Sequence, residues 1–184
     1  MSTIAARWNR AAGRAIIAPT MNMISIDIGG IRFTHRAAGI AVSGDRVLMN
    51  RGIGESYWFV PGGRINAGED SASALLREMR EEIGQEVSLE RLLCTIENFF
   101  EHKGRSFHEL GVYYAMRVPK EWEGSVFLKD DGADVEYRWM PLAEAAESLV
   151  YPEPVKEFIL GKVVGGHIIL DRRDGGKEPR AWAR

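Results

Sequence analysis

The chain is predicted to be an α+β domain, in which strands and helices alternate irregularly along 184 residues. Three observations predict this class. Ile24, Ile26 and Ile28 alternate with polar residues, the period of a half-buried strand. Leu75, Met79 and Ile83 fall at i, i+4 and i+8, the period of a helix. Long strand-like runs then follow, with helical patterns returning only near the end, so sheet and helix must pack as layers.

In order, Ile24 to Ile28, Gly29-Gly30 and Ile31 to Phe33 read as a hairpin with a Gly-Gly turn. Ala37 to Val42 and Arg46 to Met49 flank Ser43-Gly44-Asp45 as a second hairpin. Trp58 to Val60 is a short strand running into Pro61-Gly62-Gly63. A helix is predicted from about Ser71 to Ile83, capped by Asp70 or Ser71 and closed by Gly84. Its apolar stripe is Leu75, Leu76, Met79 and Ile83, with Glu78, Glu81 and Glu82 mainly off that stripe. Leu92 to Phe100 and Phe107 to Val118 are strands joined by His102-Lys103-Gly104-Arg105. Pro119 to Gly124 and Asp130-Asp131-Gly132 are loops, and Val135 to Met140 is a strand. Pro141 begins a second helix through Leu149, and a third runs from Pro154 to Leu160. His167 to Leu170 is a last strand.

With no internal repeat and no linker, one domain is expected over residues 23–170, with a charged tail at 171–184. Residues 1–22 are read as an N-terminal extension. No acidic residue occurs from Met1 to Ile26, while Arg7, Arg10 and Arg14 sit among alanines. That pattern suits a mitochondrial presequence, although a disordered extension is the plainer reading.

Composition excludes several roles. Hydrophobic residues make up 45% and charged residues 27%, as in an ordinary globular protein. A net charge of -2 gives no electrostatic case for duplex nucleic acid or an anionic membrane surface. No apolar run approaches the length of a membrane span. Cys94 is alone, so neither an intrachain disulfide nor a cysteine zinc site can form, in keeping with a reducing cytoplasm. His108-Glu109 is not a zinc-protease motif, because Val112 stands where the second histidine is needed.

The chemistry is concentrated between Gly63 and Gln85. Glu78, Glu81 and Glu82 stand at i, i+3 and i+4, so a helix projects three carboxylates together. Like charges this close repel unless a cation sits among them. Mg²⁺ and Mn²⁺ take hard oxygen ligands, and Mg²⁺ commonly binds substrate phosphates as well. The cluster therefore points to Mg²⁺ or Mn²⁺ and to phosphate chemistry. A solvated helix face with neighbouring arginines is the bland alternative, and the glycine loop in front argues against it.

Gly63, Glu69, Arg77, Glu78, Met79, Glu81, Glu82 and Gly84 fill, in order, the signature G-x5-E-x7-R-E-U-x-E-E-x-G-U, where U is bulky and apolar. In this the chain resembles the MutT-like Nudix hydrolases, over roughly Phe33 to Leu160. Gln85 departs from the pattern, and Val87 is offered for its packing role. The resemblance implies an α/β/α sandwich around a mixed β-sheet. It also implies a metal-dependent enzyme that cleaves the phosphoanhydride of a nucleoside diphosphate linked to another moiety. Carried over, Glu78 and Glu82 are metal ligands, Glu81 a further ligand or base, and the Gly63 carbonyl another ligand. Arg77 orients a glutamate, while Glu69, Gly62 and Gly84 support the site.

Beyond the signature, Glu109 and Asp131 are candidates for an additional acid. Arg51 and Arg64 are candidates for phosphate contacts, and Phe99, Tyr137 and Tyr151 for stacking on a base. The expected partner is a small nucleotide, with ADP-ribose or a nucleotide sugar preferred. A triphosphate-cleansing enzyme and a non-catalytic nucleotide sensor are the alternatives. The oligomeric state stays open between monomer and homodimer.

Overall fold

Gly29 and Gly30 take φ of 57° and 84°, a turn backbone that costs glycine nothing, and they fold the chain back after its first strand. The computed structural model describes residues 7–8, 15–16, 22–119, 122, 124–128, 134–162, 165–173 and 180–182. β1 (Arg7–Trp8) and β2 (Ala15–Ile16) pair with each other. β3 (Ser25–Ile28) and β4 (Ile31–Ile40) form the Gly-Gly hairpin, followed by β5 (Val42–Ser43) and β6 (Arg46–Gly52). Next come β7 (Tyr57–Trp58), β8 (Gly62–Arg64) and helix α1 (Ser71–Ile83). The long strands β9 (Ser88–His102) and β10 (Arg105–Arg117) turn at Lys103 and Gly104, both of positive φ. β11 (Gly124–Leu128), β12 (Asp134–Pro141), α2 (Leu142–Glu147), β13 (Leu149–Val150), α3 (Pro154–Ile159), β14 (Gly166–Asp171) and β15 (Arg180–Trp182) complete the chain.

The main sheet runs β15-β14-β9-β10-β4-β3, with β8 also paired to β4. It is mixed, because β10 lies parallel to β4 and β14 parallel to β9, while the remaining pairs are antiparallel. A second sheet runs β11-β12-β6-β5, and β13 pairs with β7. Strand alternation sends successive side chains to opposite faces. Ala37, Leu48 and Met116 pack with Leu75, Met79 and Ile83 of α1. Ala38, Met49 and Tyr113 pack with Ala145 of α2 and Val155 and Phe158 of α3. Helices thus cover both sides of the sheets, as in the α/β/α sandwich that the resemblance implies.

Several local expectations differ, among them the second helix, which ends at Glu147 so that Leu149 and Val150 form β13. The second hairpin forms about Gly44-Asp45 but is shorter than expected: Val42 and Ser43 pair with β6 and Leu48 N–H donates to the Ala41 carbonyl, while Ala37 to Ile40 continue β4, held by β10 pairing along all ten residues. β11 falls in a stretch where the sequence pattern predicts no strand. Arg180–Trp182 pairs with His167–Ile169 rather than belonging wholly to a charged tail. Among the described residues no helix is long and apolar enough to cross a membrane. Cys94 is buried, which pushes its thiol up to about 12.

The chain before β3 is pinned to the loop ahead of α1. Ala67 N–H donates to the Asn22 carbonyl at 2.8 Å, and Ile24 N–H donates to the Ile65 carbonyl at 2.8 Å. Deleting Met1 to Met21 spares both bonds, so the shortened protein is expected to keep its cooperative melt and its activity. A drop in melting temperature of more than a few degrees would show that the extension packs on the domain.

Candidate functional site

Asp70 sets the register of α1. Its Oδ1 accepts from Ser73 N at 2.9 Å and its Oδ2 from the Ser73 hydroxyl at 2.7 Å, satisfying helix-terminal donors. At the other end Gly84 adopts the left-handed conformation at φ 66°, and its N–H reaches the Met79 carbonyl. Between these caps, Arg77 is the centre of a hydrogen-bonded array. Nε and Nη2 grip both carboxylate oxygens of Glu69 at 2.9 Å each. Nη1 donates to Glu78 at 2.8 Å and to Glu81 at 3.0 Å, and Nη2 also reaches the Arg64 carbonyl at 3.0 Å. Glu69 in turn accepts from Asn66 N at 3.0 Å, which ties the loop to the helix. The Arg77 guanidinium holds the Glu69 carboxyl below its usual range, and Glu69 above all raises Arg77.

Glu78 departs from expectation. It is 7% exposed rather than on the solvent face, because α1 packs on β8 and turns this position toward Gly63. A Cβ on Gly63 would come within 2.1–2.5 Å of the Glu78 carboxylate, so the absence of a side chain there makes the cradle. Burial pushes the Glu78 carboxyl up, Arg77 opposes this, and the charges of Glu82 and Glu81 add to the rise. Gly62 is required for a different reason: at φ 145° its Cβ would meet the Ala37 carbonyl at 2.2 Å.

Glu82 accepts a hydrogen bond from the Tyr137 hydroxyl, which reaches it from β12 in the second sheet. Burial, and then the Glu82 charge, raise the Tyr137 pKa, so the phenol remains a donor. The three signature carboxylates are therefore held by Arg77 and Tyr137. Among the described residues no three carboxylate or imidazole groups converge into a ready cation cage. The donor set is nonetheless all hard oxygen, and the Glu78 carboxylate lies directly on the Gly63 backbone, which fits a divalent cation of the Mg²⁺ class.

A cleft of about 710 Å³ adjoins this array, lined on one side by Arg36 and Arg64. Arg36 Nη2 donates to the Gly62 carbonyl at 2.9 Å and to the Val60 carbonyl at 3.3 Å, bracing the glycine loop. Burial pulls its pKa down, but Glu109, Tyr113 and Glu82 together hold it above its usual value. Of the candidates named from sequence, Arg64, Glu109 and Tyr151 line the cleft. Asp131 lies outside the described residues.

Three others are corrected. Phe99 points to the opposite sheet face and stacks on His108 at 4.2 Å, because its neighbour Phe100 takes the cleft side of β9. Tyr137 is buried, and its hydroxyl is engaged by Glu82. Arg51 pairs with Glu136 at 2.9 Å and stacks over Trp58 at 4.2 Å, away from the cleft. Sequence reasoning missed Arg36 and Arg172 as cleft residues. For Arg36, the period-two run Thr34, Arg36, Ala38 was the available signal.

The NUDIX domain family model matches residues 33–159. The chain is 30% identical over 100 residues to a mutator protein of Mycobacterium tuberculosis, covering 54% of this chain and only 39% of that protein. It is 30% identical over 139 residues to a diphosphoinositol polyphosphate phosphohydrolase of Bos taurus, covering 73% and 80% of the two chains. An ADP-ribose pyrophosphatase of Mycobacterium tuberculosis is 28% identical over 128 residues, 69% of this chain and 58% of that one. The fold is shared with the crystal structure of a mutator MutT protein from Bacillus halodurans, at TM-score 0.57 and 16% identity over 80% of this chain and 97% of that one. Signature, fold and family match agree: the chain belongs to the Nudix hydrolase family, whose members hydrolyse phosphoanhydride bonds.

Proposed function

We propose that the chain is a metal-dependent pyrophosphohydrolase acting on a nucleoside diphosphate linked to another moiety, with ADP-ribose or a nucleotide sugar preferred. The observation that carries this reading is the Glu78 carboxylate seated on the Gly63 backbone beside a cleft lined by Arg36 and Arg64. Glu78, Glu82 and the Gly63 carbonyl would hold Mg²⁺ or Mn²⁺, with Glu81 a further ligand or base. When bound, such an ion supplies charge neutralisation at phosphate oxygens and a more acidic water.

The chain's own groups do the rest. Arg77 fixes Glu69, Glu78 and Glu81 relative to the loop, and Tyr137 fixes Glu82. Arg36 and Arg64 offer positive charge to a diphosphate entering from the cleft. Glu109, on the strand next to Arg36, is the acid proposed from outside the signature. Tyr151 offers an aromatic wall to a base. Residues 23–170 are proposed as the catalytic domain.

The test is a panel assayed with Mg²⁺ or Mn²⁺ and with products identified. It contains ADP-ribose, a nucleotide sugar, a nucleoside triphosphate and a diphosphoinositol polyphosphate. ADP-ribose or the nucleotide sugar should give the highest kcat/KM, releasing a nucleoside monophosphate. Preference for the triphosphate would move the chain to the house-cleaning class, and binding without cleavage to the sensor class. Preference for the diphosphoinositol polyphosphate would overturn the nucleotide reading.

A further inference from the structure

Alternation places Thr34 and Arg36 of β4, Phe107 and Glu109 of β10, and Asn98 and Phe100 of β9 on the sheet face that floors the cleft. The strand register aligns three of them in a row. Glu109 stands opposite Asn98 on one side and beside Thr34 on the other. The row is deep: Thr34 is 2% exposed and Asn98 is 8% exposed.

The Thr34 hydroxyl approaches the Glu109 carboxylate at 3.5 Å. The side-chain oxygen of Asn98, Oδ1, has no hydrogen-bond partner among the described residues. A buried acceptor left unpaired lowers stability, and folded proteins rarely keep one without a use. Asn50 and Asn66 also carry such oxygens, but neither lines the cleft.

Two acceptors side by side, one of them anionic, repel a phosphate and attract a group that donates hydrogen bonds. The cleft's arginines, Arg36, Arg64, Arg172 and Arg173, stand outside the row, with Arg36 near enough to Glu109 for their charges to interact. Arg36 sits two residues along β4 from the row, roughly 7 Å at the rise of a strand. A donor group joined closely to a diphosphate spans that distance. The stacked rings of Phe100 and Phe107, 5.0 Å apart, wall the same floor.

We propose that Asn98 is a specificity-determining residue whose Oδ1, beside Glu109, accepts a hydrogen bond from a hydroxyl or amino group of the substrate's nucleoside or sugar portion. This rests on the hydrolase reading above and adds which part of the substrate is read, and by what. The same donor chemistry has two sources, sugar hydroxyls and the exocyclic amine of a base.

The experiment measures KM and kcat with Mg²⁺ for the full chain and for Asn98→Leu. Three compounds are compared: ADP-ribose, its analogue lacking the 2′-hydroxyls, and its analogue with the purine amine replaced by a carbonyl. Asn98→Leu should raise KM for ADP-ribose about tenfold with a smaller change in kcat. That penalty should vanish for the analogue that lacks the partnering donor, which identifies sugar or base. Melting temperature should hold or rise, since an apolar side chain of similar size replaces an unpaired buried oxygen. A purely structural asparagine would instead lose stability.

An unchanged KM in Asn98→Leu, or the same loss on all three compounds, overturns the proposal. So does a wild-type chain that handles all three alike, a comparison that stands even if the variant misfolds. ADP-ribose cleavage without the selective loss defeats the role of Asn98 alone. No cleavage of any panel compound defeats the hydrolase reading, and this one with it.

Discussion

Excess chelator is expected to abolish turnover, and added Mg²⁺ or Mn²⁺ to restore it. One guanidinium, Arg77, is divided among Glu69, Glu78 and Glu81, while the phenol that donates to Glu82 is neutral. Three carboxylates thus share a single arginine, and Glu78 is in addition desolvated. A divalent cation relieves both penalties at once, and a diphosphate bringing further negative charge makes it more necessary. The measurement is phosphate-ester product formed on the best panel substrate before chelation, after it, and after metal is returned. Full activity in metal-free buffer would sink the mechanism.

Glu78→Gln and Glu82→Gln should each lower kcat by roughly a hundredfold or more, about 2.7 kcal/mol of transition-state stabilisation. Either change removes an anionic oxygen while keeping the shape of the side chain. In Glu78→Gln the amide still fits the space above Gly63, and in Glu82→Gln the amide oxygen still accepts from the Tyr137 hydroxyl. Circular dichroism and melting should therefore stay close to wild type while turnover collapses. A near-wild-type rate in either variant would mean that the catalytic carboxylates lie elsewhere.

The helix and its loop are legible in the sequence because their determinants are local. Asp70, Gly84 and the i, i+4 stripe act within a few residues of where they stand. Periodicity alone puts Glu78 on the wrong face, because its burial depends on β8, whose position over the helix is a tertiary fact. The cleft is harder still. Choosing Phe100 over Phe99 requires the facing of β9, and that strand carries register irregularities against β10 at Tyr113/Tyr114 and Ala115/Met116. Arg36 looks like any surface cation until β8 pairs with β4 and brings Gly62 to it. Tyr137 reads as a stacking ring, when its hydroxyl rather than its ring is what meets the site.

An arginine side chain has five N–H donors, and Arg77 makes five hydrogen bonds, to Glu69 twice, Glu78, Glu81 and the Arg64 carbonyl. It is saturated by the protein itself. For inhibitor chemistry this means that an anionic fragment aimed at the most charged part of the site meets carboxylates with their arginine already committed. The productive handle is the exposed guanidinium of Arg64, on the cleft side of the loop, joined to a donor-bearing group that reaches inward.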